Sequence, residues 1–273
     1  MASDIKKISS ALYGEFWEVN LTSDLCAHFL SELKQCNIRF LSHATSCSFK
    51  IEEPKAIISN DLLCLPEAGL SIDFKQIANV CLKTNLLSED RLDLVFTARD
   101  RHEQLTIEIP KSEEQSLIFL TKQLIKSHEQ LPKKATFTKN QRRLCPCCKE
   151  KQEKTKSRIS CHPLYHIISF ACFLNQDVCL EMHGGMASCS RTFLPERECH
   201  PQGVISLAAT DSIVAIDLAE VFQSIGCVKN FEGEESTIFQ CYNSHGNLLV
   251  SLIQQNRKLF EAWSQIKEET RGD

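Results

Sequence analysis

The sequence predicts an α+β protein made of two tandem similar halves, each a mainly antiparallel β-sheet covered by helices. Three observations predict it. In the last third, Ile238, Phe239 and Tyr242 lie in a dense apolar run, Asn243-Ser-His-Gly246 is turn chemistry, and Leu248, Val250 and Leu252 alternate after it; together these mark a hairpin. In the first half Leu92, Leu94 and Phe96 alternate, as do Leu105, Ile107 and Ile109, with Arg99-Asp-Arg-His102 between them, which gives a second hairpin. Finally, Ile72-Asp73-Phe74 sits where Ile216-Asp217-Leu218 sits, at an offset of 144 residues. Carried forward without a gap, that offset lays Leu105–Ile109 on Leu249–Ile253.

The remaining elements follow in chain order. Ile5, Ile8, Leu12 and Phe16 recur at helical spacing, so the first 18 residues read as an amphipathic helix capped by Ser3. A second helix begins at Thr22 or Ser23, carries Leu25, Phe29, Leu30 and Leu33 on one stripe, and stops at Asn37. Strand-like runs cover Ile38–Leu41, Cys47–Ile51, Ala56–Ile58, Leu62–Leu65 and Leu70–Phe74. Ser112-Glu-Glu-Gln115 is a capping box that opens a helix with Leu117, Leu120 and Leu124 inward. Near the C-terminus, Trp263 and Ile266 share a helix face three residues apart, with Trp263 as the anchor.

Composition bounds the class. At 273 residues, 42% hydrophobic and 24% charged, the chain is long enough for one large domain or two of ordinary size. Apolar runs stay short of the roughly 18–20 residues that span a bilayer, and the N-terminus leads into an amphipathic pattern, so a cytoplasmic protein with no membrane partner is expected. In that setting the fifteen cysteines read as reduced thiols, most of them small core residues. The net charge of −4 hides an asymmetry: Lys126–Arg158 holds eleven Lys/Arg against three Glu, a local +8, leaving −12 elsewhere. The run reads as a solvated linker. Nucleic acid is not expected as a partner, because aromatic residues other than Phe137 are missing from the run. The expected organisation is a first half over 1–126, a basic Cys-rich linker over 127–160 and a second half over 161–273.

Two sets of residues carry chemistry. Cys145-Pro-Cys-Cys148, followed by Cys161-His162 and His166, has the spacing of a zinc site, since a Cys pair two residues apart can chelate one ion and a later Cys/His pair can close the tetrahedron. Cys145, Cys148, Cys161 and His162 are the candidate metal ligands; the alternative is a set of free thiols in a linker. Phosphate-binding glycine loops, the Gly-x-Ser-x-Gly elbow and the His-Glu-x-x-His pair are all missing from the sequence.

Four short motifs in one order carry a resemblance. Val178-Cys-Leu-Glu-Met-His-Gly-Gly185, Leu218-Ala-Glu-Val-Phe222, Ser236-Thr-Ile-Phe-Gln-Cys-Tyr-Asn-Ser-His-Gly-Asn-Leu-Leu249 and Ala262-Trp263 resemble a strand, a second strand, a hairpin and a closing helix of the bacterial haemin-degrading and haem-utilisation family. Ile72-Asp-Phe-Lys-Gln-Ile77 resembles the matching motif of that family's first half, which extends the likeness across most of residues 25–268. The resemblance implies haem or a related tetrapyrrole as the ligand, and binding, trafficking or degradation of it as the role. His166, on an apolar helix, His183, which matches a histidine common in the family's strand, and Cys145, in a Cys-Pro dipeptide, are then the candidate haem ligands. For both histidines a structural role is the alternative.

Departures from the pattern bear on the same point. Asp177 stands where the family has an arginine, and Gln223–Lys229 offers one basic residue where it has a basic cluster. The connection between the halves lacks the family's histidine-bearing segment. Those cations would pair with haem propionates, so the sequence implies a degenerate haem site and leaves haem-degrading activity open. The expectation from a different class is a zinc-stabilised adaptor that uses its Cys/His linker to hold a protein partner.

Overall fold

A computed structural model describes residues 16–84, 91–99, 104–113, 144–194, 197–199, 202–209, 211–231 and 234–269. The chain divides into two compact units: Met1–Phe40 with Ser48–Asn140 and Gly185–Ser188, and Leu41–Cys47 with Gln141–Gly184 and Cys189–Asp273.

The first unit is built on β1 (Phe16–Val19), α1 (Ser23–Ser31), β2 (Gln35–Leu41), β3 (Thr45–Glu52), β4 (Ile57–Ser59), β5 (Leu62–Leu65), β6 (Leu70–Asp73), β7 (Ile77–Thr84), β8 (Arg91–Ala98) and β9 (Gln104–Pro110). Thr22 caps α1, its Oγ1 accepting from the Leu25 N–H at 3.3 Å. Strands β1, β7, β8, β9 and β2 lie side by side, and their register aligns Trp17, Leu82, Leu94 and Ile107 in one row across the sheet. Every side chain from Asp93 to Ala98 is buried, so β8 is covered on both faces. Phe29, Phe40 and Phe96 are fully buried, and Phe74 packs edge-on against Phe96 with centroids 6.1 Å apart.

The second unit repeats the order: α2 (Pro146–Ser157) and α3 (Pro163–Phe173), then β10 (Val178–His183), β11 (Ala187–Phe193), β12 (Arg197–Cys199), β13 (Val204–Ala208), β14 (Ser212–Asp217), β15 (Gln223–Phe231), β16 (Glu234–Tyr242), β17 (Leu248–Gln255) and the closing α4 (Lys258–Glu269). Strands β15, β16, β17 and β10 run antiparallel, with Gly226, Phe239, Leu252 and Leu180 in one row. Asn243 closes the β16–β17 turn, its Oδ1 accepting from the N–H groups of His245 and Asn247 at 2.9 Å each. Gly226 is a packing residue: a Cβ there would come within 2.8 Å of the Phe239 ring and 3.0 Å of Trp263 Cδ1. Trp263 stacks edge-on against Phe239 with centroids 5.4 Å apart, which makes it the anchor of α4.

One capping bond recurs at the offset of 144. The Asp73 carboxylate accepts from the Lys75 N–H at 2.9 Å and the Asp217 carboxylate from the Ala219 N–H at 3.0 Å, each opening a 3-10 turn, Phe74–Gln76 and Leu218–Glu220. Within its own unit each of these aspartates also donates its backbone N–H to a hairpin loop, Asp73 to Met186 O at 2.8 Å and Asp217 to Ala44 O at 2.7 Å.

Three expectations need correction. Phe16 belongs to strand β1, not to an N-terminal helix; Ile5, Ile8 and Leu12 lie outside the described residues. Asn37 sits inside β2, because α1 already ends at Glu32 and Cys36, Ile38 and Phe40 alternate inward from there. Leu218-Ala-Glu-Val-Phe222 opens as a 3-10 turn instead of a strand, since the Asp217 side chain captures the Ala219 N–H. The capping box at Ser112 begins as a 3-10 turn over Lys111–Glu113, and its continuation lies outside the described residues.

Candidate functional site

The basic Cys-rich stretch, expected to be a loosely packed connection, carries helix α2. Pro146 occupies its first turn, where a missing N–H costs nothing and the fixed φ suits the helix, and Cys145 is the N-cap in extended conformation. Its sequence, Pro-Cys-Cys-Lys-Glu-Lys-Gln-Glu-Lys-Thr-Lys-Ser, has no apolar stripe, and only Gln152 and Thr155 are buried. Polar bonds hold it instead. Gln152 Nε2 donates to Glu220 Oε1 at 2.7 Å, and Lys151 Nζ donates to the Phe222 carbonyl at 2.6 Å while standing 5.4 Å from the centre of the Phe222 ring. Loss of water around that ammonium lowers the Lys151 pKa. Gly203 completes the seat: its φ is +85°, and a Cβ there would stand 3.1 Å from Lys156 Cα.

Between α2, α3, β15 and α4 this unit has a groove of about 230 Å³, lined by Lys151, Lys154, Cys161, His162, Phe222 and Trp263 among others. It is smaller than the roughly 300–1,000 Å³ of pockets that enclose drug-sized ligands, so it admits an edge or a small polar group, not a whole macrocycle.

His162 is the buried wall of the groove and the N-cap of α3. Its Nδ1 accepts from the Leu164 N–H at 3.2 Å, so the proton sits on Nε2, which donates to the Val221 carbonyl at 3.1 Å. Burial lowers its pKa, with the charge of Lys151 adding to the effect against the bond to Val221. Both ring nitrogens are therefore committed to backbone.

His166, one turn on, is exposed. Its Nε2 donates to the Ser160 carbonyl at 2.9 Å, which fixes the tautomer and leaves the Nδ1 lone pair outside that bond; Tyr165 packs edge-on against it at 5.3 Å. That arrangement, one N–H on a carbonyl and the other nitrogen unprotonated, is how ligating imidazoles are oriented. Phe170 follows four residues later and Phe173, 82% exposed, seven residues later, so His166 stands on an apolar strip of α3. His183 ends β10 half-buried, its Nε2 3.1 Å from Ser251 Oγ and 3.9 Å from Glu181 Oε2; burial lowers its pKa against the opposing effect of Glu181.

The sulfur cluster at the start of α2 consists of Cys145, Cys147 and Cys148, whose Sγ atoms all lie within 4.8 Å of one another. Cys145 and Cys147 are 2.9 Å apart and exposed, and Cys148 is half-exposed. Hydrogen bonds from Cys147 and Cys148 bring the Cys145 pKa down to about 7, and the same sharing pushes Cys148 up to about 11. Of the four ligands expected for zinc, the cluster unites Cys145 and Cys148; Cys161 and His162 line the groove, and Cys147 takes the third position. The Cys-x-x-Cys spacing singled out the outer pair, but at a helix start residues two and three apart also converge.

Comparison with known proteins gives the fold. No family model and no curated protein match the sequence. Among solved structures, holo-PhuS, a heme-binding protein from Pseudomonas aeruginosa, superposes with a TM-score of 0.70 at 8% identity, covering 91% of this chain and 84% of that one. The heme degrading enzyme ChuS of Escherichia coli O157:H7 gives 0.69 at 9% identity, covering 93% and 88%. This chain has the ChuS and PhuS fold. The resemblance to haem-utilisation proteins read from the sequence thus holds at the level of fold, at an identity that marks a divergent chain. Apo-PhuS agrees, with a TM-score of 0.67 over 96% of this chain. Among the described residues no helix is long and apolar enough to cross a membrane.

Proposed function

We propose that this protein binds haem or a closely related tetrapyrrole, as the heme-binding protein PhuS binds heme, and that it does so through its second unit. The observation that carries this reading is the superposition on both ChuS and PhuS over more than nine-tenths of the chain. His166 is the residue that would hold the iron. Its Nε2–H is held by the Ser160 carbonyl, its Nδ1 is the basic nitrogen, and Tyr165, Phe170 and Phe173 supply the apolar surface that a macrocycle face requires. His183, with Nε2 against Ser251, and Cys145, with a thiol ionising near pH 7, are the competing donors.

Lys151 and Lys154 support the reading by a different route. They stand in the groove beside Gln223 and Ser224, at the stretch where the sequence lacks the family's basic cluster. Helix α2 thereby brings cations to an edge that β15 leaves neutral, and the groove is of a size to take carboxylates and not the ring. Bound haem would supply a Lewis-acidic iron; the protein's part is to present imidazole, apolar surface and ammonium groups.

Haemin titration of wild type, His166→Ala, His183→Ala and Cys145→Ala tests the assignment. Wild type should show a saturable change in the Soret region at one equivalent, His166→Ala should weaken it at least tenfold, and the other two should match wild type. A wild-type protein with no saturable change at micromolar haemin would remove the haem reading and leave the fold standing.

A further inference from the structure

A second site lies at the start of α2 and is independent of the tetrapyrrole reading. Three thiol sulfurs there occupy the tip of a helix of twelve residues, and among the described residues no carboxylate or imidazole joins them. The geometry points to a three-sulfur site formed by Cys145, Cys147 and Cys148 that takes a soft d10 metal ion, with trigonal Cu(I) as its best-matched occupant.

The donor set decides the class of ion. Thiolate ligands select Cu(I) and Zn(II) over hard cations, and a site limited to three sulfurs leaves Zn(II) short of its preferred four ligands. Distances agree with a single bound ion: bonds of about 2.3 Å in a trigonal plane place sulfurs about 4 Å apart, and the three Sγ atoms fall within 4.8 Å of one another. The 2.9 Å between Cys145 and Cys147 must widen by about 1 Å, which exposed side chains reach by small χ1 rotations. All three cysteines are free thiols.

The helix supplies the electrostatics. Cys145, Cys147 and Cys148 occupy the N-cap, second and third positions, where backbone N–H groups without intrahelical partners and the positive end of the helix dipole favour negative sulfur. Binding exchanges thiol protons for the ion, so no electron transfer is involved when the metal is offered as Cu(I).

The test uses the full chain, reduced and kept under nitrogen, with no haemin present. Cu(I) is offered against a colorimetric Cu(I) chelator, and Zn(II) against a zinc indicator, for wild type and for Cys145→Ser, Cys147→Ser, Cys148→Ser, Cys161→Ser and Cys172→Ser. Wild type should take one Cu(I) at the tightest level, each cluster variant should lose at least a hundredfold in affinity, and Cys161→Ser and Cys172→Ser should match wild type. X-ray absorption of the copper form should count three sulfurs. Unchanged affinity in Cys147→Ser, or an equal loss in Cys161→Ser, would overturn the site, and Zn(II) displacing Cu(I) would overturn the three-coordinate assignment. Circular dichroism of each variant separates lost ligands from lost fold. Failure of haemin binding would not move any of these readouts.

Discussion

A two-residue left-handed turn occurs in each unit, and only the copy in the second unit ends in glycine. In the first unit Asn60 and Asp61 turn the chain from β4 into β5 with φ of 51° and 66°, and the Asp61 carbonyl accepts from the Phe74 N–H at 3.0 Å. In the second, Gln202 and Gly203 do so before β13 with φ of 49° and 85°, and the Gly203 carbonyl accepts from the Leu218 N–H at 3.0 Å. An aspartate tolerates the left-handed region, so the turn itself does not demand glycine. What demands it is helix α2, whose Lys156 backbone fills the space a Cβ would need. Among the described residues the second unit carries α2 beside this turn, and the sulfur cluster and the groove's lysines lie on that helix.

The comparison can be broken most strongly by exchanging the two turn residues. Gly203→Asp forces a side chain into the α2 backbone at a positive φ and should cost about 1–3 kcal/mol in denaturant unfolding. Asp61→Gly relieves a left-handed residue, frees the unfolded chain and loses only an exposed ion pair to Lys75, so its net effect should stay within about 0.5 kcal/mol. Equal costs at the two positions would mean that α2 does not set the choice of glycine.

A smaller effect sharpens the comparison through pH. His162 caps α3 only while neutral, since Nδ1 must accept from Leu164, and burial holds its folded pKa below 6.5. Unfolded chains therefore take up this proton first. Stability from the group is fully present above pH 6.5 and is lost as pH falls from there through the depressed folded value. His162→Asn, whose amide keeps an acceptor without titrating, should cost about 1 kcal/mol at pH 7.5 and flatten the decline of stability between pH 6.5 and 5. An undiminished pH slope in the variant would assign that decline to other groups. In the first unit the cap of α1 is Thr22, which has no such dependence.

Much of the scaffold was legible because strands with buried faces write their period into the sequence. Leu62–Leu65 was predicted with its observed bounds, and both long hairpins pair as their alternation indicated, with Leu94 opposite Ile107 and Phe239 opposite Leu252. The offset of 144 picked out Asp73 and Asp217, which make the same capping bond in each unit. Helix α2 was illegible for the opposite reason. Its contacts run through Lys151, Gln152 and the bare backbone at Gly203, and none of these leaves an apolar pattern. His162 and His166 stand four residues apart, and the sequence set the first among the candidate metal ligands and the second among the candidate haem ligands. Only the structure gives one of them two backbone partners and exposes the other on an apolar strip.

The proposed function has the second unit of this ChuS- and PhuS-like fold hold a tetrapyrrole through α3. Backbone hydrogen exchange with and without one equivalent of haemin tests it most directly, because α1 lies in the first unit and α3 in the second, so each serves as an internal control for the other. Slowed exchange across Pro163–Phe173, with Ser23–Ser31 unchanged, is the predicted result. Protection confined to Ser23–Ser31, or spread equally over both helices, would contradict it.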